Sequence, residues 1–307
     1  MKKQVIVMLS AFLITSSIYA QGEVKQDKTY REEISSWINK RDSTLRSLAS
    51  PLSIAGVFPL KEGENSFGTA SDNDVVFPPD AVAAHAGQYI VRNDSVLVEL
   101  AGDARIISKG REAIRVAEIP VQDSLKYRSN EQSIVLTHGD YKWFVLLSGG
   151  KPTLRLLNVN SEEHHQFKGV KRFTSDKKWL LQARFEPYTS LTKIPITTVK
   201  GKTDERKSAG RVHFFVDGQP QTLEALDVDG QLFIVFADKT SGHESYAFRF
   251  LYANRPVNGD TTVLDFNKAT NPNCAFSKYS ACPLPPAGNR LTIAIPAGEK
   301  KYESPVQ

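Results

Sequence analysis

The chain has 307 residues, 40% of them hydrophobic and 24% charged, with 39 lysines and arginines against 34 acidic residues and a formal net charge of +5. That composition excludes a disordered or fibrous protein. The basic residues are scattered, with no lysine-arginine run and no basic helix, so nucleic acid is not an expected partner.

The first twenty residues read MKKQVIVMLSAFLITSSIYA. A basic start, Lys2–Lys3, precedes an apolar stretch from Val5 to Thr15, and small and polar residues follow up to Ala20. This is the layout of a secretory signal peptide over 1–20. Its removal takes two lysines with it and leaves a net charge of 5 − 2 = +3. The apolar stretch is too short to span a bilayer, and no later run approaches that length. The expectation is a periplasmic or secreted protein with no transmembrane segment.

Residues 21–50 form an N-terminal helical segment. Tyr30, Ile34, Trp37, Ile38, Leu45 and Leu48 recur in steps of three, four and seven, the spacing of one helix face, and Pro51 ends it. After Pro51 the period becomes two. QYIVRN, SVLVEL, WFVLL, TLRLLNV, RVHFFV, LFIVFA and YAFRFL are short, rich in β-branched and aromatic residues, and separated by Gly, Asp and Asn. Such runs at close spacing predict an antiparallel sandwich or barrel. VDGQ occurs at 216–219 and again at 228–231, each time between apolar runs, and predicts two tight hairpins. The Gly-Gly and Pro of SGGKP, 148–152, suggest a boundary between a small β-sandwich over 51–150 and a larger β domain over 151–307. The polar segment TTVKGKTDERKSAG, 197–210, reads as an exposed loop. The predicted fold is all-β: a helix, an antiparallel sandwich, then a larger antiparallel domain.

Longer stretches carry a resemblance. LKEGENSFGTASDNDVVFPP, HAGQY, FKGVKRF, RFEPY, FADKTSGHESYAFRF and LDFNKATNPNCAFSKYSACPLPPAGNRLTIAIPAGEK, spread from about Pro51 to Tyr302, resemble the domain-of-unknown-function 1684 family. The resemblance implies no assigned activity. The chain departs from the family pattern at Phe58-Pro59, where a tryptophan precedes the first leucine, and at Asn158, where an aspartate follows the LRL strand. Residues 54–148 are also similar in order to a forkhead-associated sandwich. Thr69 and Val82 stand where that module's phosphate-gripping arginine and serine would be, so only the scaffold is implied.

The chemistry candidates lie near the C-terminus. NPNCAFSKYSACPLPP, 271–286, is a stiff loop holding the chain's two cysteines, Cys274 and Cys282. In an oxidising compartment they read first as a disulfide, which stabilises by about 2–3 kcal/mol on the loop-entropy account. Two structural thiols, a metal site and a reactive thiol are the other readings. A tetrahedral metal needs two further ligands and the nearby chain offers no histidine, so no metal or cofactor is expected. His85, His138, His164, His165, His213 and His243 show no ligand spacing, and His213 is the best of them because RVHFFV sets it opposite Val212 and Phe214. In FADKTSGHESYAFRF, Arg249 shares a strand face with Ala247 and Leu251 and needs a carboxylate; Asp238, Glu244, Asp265 and Glu299 are available. The expected site is a pocket for a small polar or anionic ligand, built from Asp238, Thr240, Tyr246, Arg249, Asn267 and Glu299, with the cysteine loop as a wall. A hydrolase using Asp238 or Glu299 as general base, with Arg249 stabilising negative charge, is the first alternative. A structural envelope protein is the second.

Overall fold

A computed structural model describes residues 28–47, 50–92, 95–101, 107–108, 111–112, 116–120, 122–123, 135–148 and 151–305. The expected signal peptide lies outside the described residues, as do Gly149 and Gly150 of the expected boundary. The chain divides into two compact units.

One unit comprises Leu45–Lys168 with Phe276–Ser280 and Ser304–Gln307. Its strands are β1 Ile54–Pro59, β2 Gly63–Gly68, β3 Val75–Val76, β4 Gly87–Arg92, β5 Ser95–Leu100, β6 Ile107–Ser108, β7 Arg111–Glu112, β8 Val116–Pro120, β9 Gln122–Asp123, β10 Leu136–His138, β11 Tyr141–Ser148 and β12 Lys151–Asn158. One sheet runs β1-β12-β11-β10-β6-β7, with β9 on β11, and the other runs β3-β2-β4-β5-β8. All pairs are antiparallel except β2 with β3 and β9 with β11. Alternation builds the core: Trp143, Val145, Leu154 and Leu156 from the first sheet meet Phe67, Tyr89, Val91, Val96 and Val98 from the second. Trp143 donates its indole N–H to the Tyr89 hydroxyl at 2.8 Å, so the two largest polar-tipped rings in the core satisfy each other. This is the predicted sandwich. It extends past 150 to Lys168 because β12 is laddered between β1 and β11. The Gly-Gly-Pro punctuation therefore marks a join between neighbouring strands of one sheet.

The other unit comprises residues up to Thr44, Gly169–Ala275 and Ala281–Glu303. Helix α1 covers 28–45, and its Tyr30 and Ile34, four apart, are buried as the stripe predicts. Strands β13 Leu180–Thr197, β14 Thr203–Val216, β15 Gln219–Val228, β16 Gln231–Phe236, β17 Arg249–Asn254 and β18 Thr261–Asp265 form one sheet in the order β17-β16-β15-β14-β13-β18. The sheet curls toward a barrel, and Thr262 Oγ1 donates to Asn254 O at 2.7 Å across its two edge strands. Val212, Phe214, Leu223, Ile234, Phe236, Leu251 and Phe266 fill the inside. Both VDGQ segments are hairpin turns, with Asp217 and Gly218 at φ 48° and 75° and Asp229 and Gly230 at φ 51° and 78°. Two consecutive positive φ values are what a type I′ turn requires, and Asp-Gly tolerates them. The segment 197–210 departs from the reading as a loop: Thr197 pairs with Thr203 and Ile194 with Arg206. Ladder hydrogen bonds come from the backbone, so a charged composition does not prevent them. Among the described residues no helix is long and apolar enough to cross a membrane.

Candidate functional site

Arg249 opens β17 and Asp238 lies just beyond β16, so the antiparallel pairing of these strands brings them together. Both side chains are wholly buried and form an ion pair. Arg249 also donates to the carbonyls of Ala297 and, at 2.9 Å, of Ile295, and its guanidinium lies 5.1 Å from the Phe236 ring centre. Burial pushes its pKa down, and Asp238 opposes that shift. Asp238 accepts from Thr240 N at 2.6 Å, and Thr240 Oγ1 shares a 2.8 Å hydrogen bond with Ser245 Oγ. Asp238, Thr240 and Arg249 are thus one knot whose charges and hydroxyls are paired within the protein; among the described residues the buried Arg249 Nε has no hydrogen-bond partner.

Glu299 anchors a second knot. It accepts from Arg41 Nε at 3.0 Å, Arg172 Nη1 at 3.3 Å and Asn271 N at 2.6 Å. Arg172 also bonds Asp42 at 2.7 Å. Gly298 makes this possible. It sits at φ 77°, and a Cβ there would stand 2.5 Å from Ala269 O. The short AGE at 297–299 therefore has a structural reason: only glycine lets the chain lie against Ala269 and aim Glu299 inward. Asn267 belongs to a third knot, donating to the Tyr30 hydroxyl at 2.8 Å and to Asp176 O at 2.9 Å, while Tyr30 donates to Asp265 at 2.9 Å. Burial, then Asp265, push the Tyr30 phenol up.

Tyr246 stands apart from all three. With Phe248 and Phe250 it faces the other side of the sheet, as alternation predicts, and its hydroxyl points to Cys274 at 3.8 Å. Cys274 and Cys282 are unbonded thiols in this structure, and Cys274 N donates to Cys282 Sγ at 3.0 Å. His213 bonds Thr222 at 2.9 Å and lies 3.2 Å from Glu186, with Val212 and Phe214 turned into the core. The six expected ligand-binding residues therefore fall into separate clusters whose partners are mainly one another and the backbone. Arg41 and Arg172 escaped sequence reading. The signal for Arg41 was present, because 30, 34, 37, 41 and 45 are successive positions on one helix stripe, and a charge in that series demands a buried partner.

A groove of about 530 Å³ lies within the sandwich unit. A single 3-10 turn, Pro51–Ser53, forms one wall; Ser50 caps it by accepting from Leu52 N at 3.2 Å. The turn buries Ser53 to 1% exposure, and among the described residues its hydroxyl has no partner. Tyr141 at the start of β11 and Asn158 at the end of β12 add polar lining because those strand ends pair with each other. Ser277, Lys278 and Tyr279, from between the two cysteines, complete it. The cysteine loop does line a groove, but one in the sandwich unit. Among the described residues no group of three or more His, Cys, Asp or Glu side chains is placed to hold a metal.

The sequence model described as protein of unknown function (DUF1684) matches residues 165–300. The chain belongs to this family. The matched part of the DUF1684 chain is narrower than the Pro51–Tyr302 span of the resemblance, and it holds the Arg249–Asp238 knot, Glu299, Asn267, the two Asp-Gly hairpins and both cysteines, whereas Tyr30, Arg41 and Asp42 lie outside it. A solution NMR structure of an uncharacterised protein from Haloarcula marismortui is similar at 31% identity, covering 45% of this chain and 80% of that one, with a TM-score of 0.39. No curated protein matches.

Proposed function

We propose that this chain is an exported protein that binds a small, hydroxyl-rich or anionic molecule in the sandwich groove. The observation that carries the reading is Ser53: a buried hydroxyl with no partner among the described residues, in a wall of a polar-lined groove. Leaving such a group unpaired costs about 1–3 kcal/mol, so a partner from outside the chain is favoured. Tyr141 and Tyr279 offer flat apolar faces with polar tips, and the exposed Lys278 offers a positive charge to an acidic ligand. Export rests on the leader-like first twenty residues, and an oxidising destination would favour closure of Cys274 with Cys282.

The test is a thermal-shift titration of the purified mature chain with glucose, galactose, myo-inositol, malate and citrate. At least one probe should raise Tm saturably, since a ligand at a hundred times its Kd adds about 2.7 kcal/mol. The same probe should shift Ser53→Ala and Tyr279→Ala less. Failure of all five, or equal shifts in the variants, overturns the groove reading. Cell fractionation with intact mass measurement tests export; a full-length chain confined to the cytoplasm overturns it.

A structural envelope role is favoured by a different observation. Arg249 pairs with Asp238, and Arg41 and Arg172 with Glu299 and Asp42, in buried or half-buried ion pairs that fix loops. The hydrolase alternative draws no support from this arrangement, because Asp238 and Glu299 are both engaged by arginine.

A further inference from the structure

The two cysteines of the chain differ in access. Cys274 lies half-buried in the one-turn segment Asn273–Ala275. Cys282 is 4% exposed and packs in an apolar cluster with Ile196, Leu226, Val235 and Phe248. Its backbone is pinned, since Val199 N donates to Cys282 O at 2.9 Å and Leu284 N donates to Thr197 O at 2.8 Å. A molecule arriving from solvent can reach Cys274; the buried sulfur has Cys274 as its neighbour. We propose that Cys274 and Cys282 form a modification site with fixed roles, in which Cys274 attacks small disulfides and Cys282 resolves the adduct.

The chemistry balances as two exchanges. The Cys274 thiolate attacks one sulfur of a disulfide RSSR, forming Cys274–S–S–R and releasing RS⁻. Cys282 then gives its proton to a thiolate or solvent base and attacks the Cys274 sulfur, forming the Cys274–Cys282 bond and releasing a second RS⁻. The protein loses two electrons and two protons, and RSSR becomes two RSH. The surroundings suit these roles. The Cys274 thiol is lowered to about 7, first by the hydrogen bond from Cys282, then by the Tyr246 hydroxyl, with Lys200 adding positive charge. Cys282 is pushed up by its hydrogen bond to Cys274 and by burial. An attacking thiol works best when its pKa lies near the ambient pH. This site does not depend on the groove reading.

The test treats the reduced full chain with oxidised glutathione and follows intact and peptide masses. Wild type should lose the mass of two hydrogens and carry no glutathione. Cys282→Ser should accumulate one glutathione on Cys274, and Cys274→Ser should stay unmodified until denatured. A lasting glutathione adduct on wild type, two persistent free thiols, or a native Cys274→Ser that reacts as fast as Cys282→Ser would each overturn the proposal. A variant that fails to fold is replaced by iodoacetamide labelling of native wild type. There Cys274 should react about tenfold or more faster than Cys282, and equal rates overturn the assignment. Labelling should rise with pH through a midpoint at about 7, because the thiolate is the reactive form.

Discussion

The barrel unit holds two arginine-carboxylate knots and the Asn267 cluster buried or half-buried and pairs their charges with one another, leaving among the described residues Arg172 Nε, Arg249 Nε and Asn271 Oδ1 buried without a hydrogen-bond partner. The sandwich groove contains far fewer unusual residues, yet its wall holds a buried hydroxyl with no partner among the described residues. Density of charged, amide and special-backbone residues thus identifies where the fold is tied down. Of the buried unpartnered groups, Ser53 is the one in the lining of this groove, and it points to where something from outside can bind. The two regions also differ in what a mutation should do: removal of a knot residue leaves its partner buried and alone, whereas removal of the groove hydroxyl relieves a cost.

Arg249→Ala probes the knot side most strongly. It strips a wholly buried carboxylate, Asp238, of its cation and leaves the carbonyls of Ile295 and Ala297 short of a donor. Breaking a buried pair by removing one partner costs about 3–5 kcal/mol, a large part of a typical domain's stability. Urea denaturation of the protein should show a loss of that size or failure to fold. A loss below about 1 kcal/mol would mean the pair is not an anchor and would erase the contrast between the regions.

Gly298→Ala sharpens the same side through the backbone. The added Cβ meets Ala269 O at 2.5 Å and Phe266 O at 2.8 Å, at a φ that side-chain-bearing residues rarely adopt. The expected destabilisation is about 1–3 kcal/mol. Because Glu299 N donates to Ala269 O at 2.9 Å, the strain falls on the segment that presents Glu299 to Arg41 and Arg172. A double-mutant cycle with Arg41→Ala should be non-additive, and strict additivity would show that Gly298 acts only locally.

Much of the fold was legible because its signals are local and periodic. The α1 stripe, the alternation that turns Val212 and Phe214 inward and His213 outward, and the two Asp-Gly turns each depend on a few neighbouring residues. The pairing of Arg249 with a carboxylate was legible too, since a guanidinium on an apolar strand face needs one, and pairing of β16 with β17 selects Asp238 from the four candidates. What escaped depends on distant juxtaposition. Arg172 and Arg41 converge on Glu299 from positions more than a hundred residues away in sequence. The groove joins a turn at 51–53, two strand ends and a stretch of the cysteine loop, none unusual in composition. The extent of the sandwich was misjudged because a Gly-Gly-Pro stop reads the same at a domain boundary as within a sheet.

Ser53→Ala is the smallest perturbation and the most discriminating. Without ligand, loss of an unpaired buried hydroxyl should leave stability unchanged or raise it by up to about 1 kcal/mol, the reverse in sign of Arg249→Ala. The Ser50 cap on Leu52 N is untouched, so the turn that carries position 53 keeps its geometry. With a binding probe present, the variant should gain less Tm than wild type, because the hydroxyl that made the molecule welcome is gone. Stability and binding therefore move in opposite directions at this one position. If Ser53→Ala instead destabilises the free protein by more than about 1 kcal/mol, the hydroxyl already has a partner, and the groove becomes one more satisfied contact like those of the barrel unit.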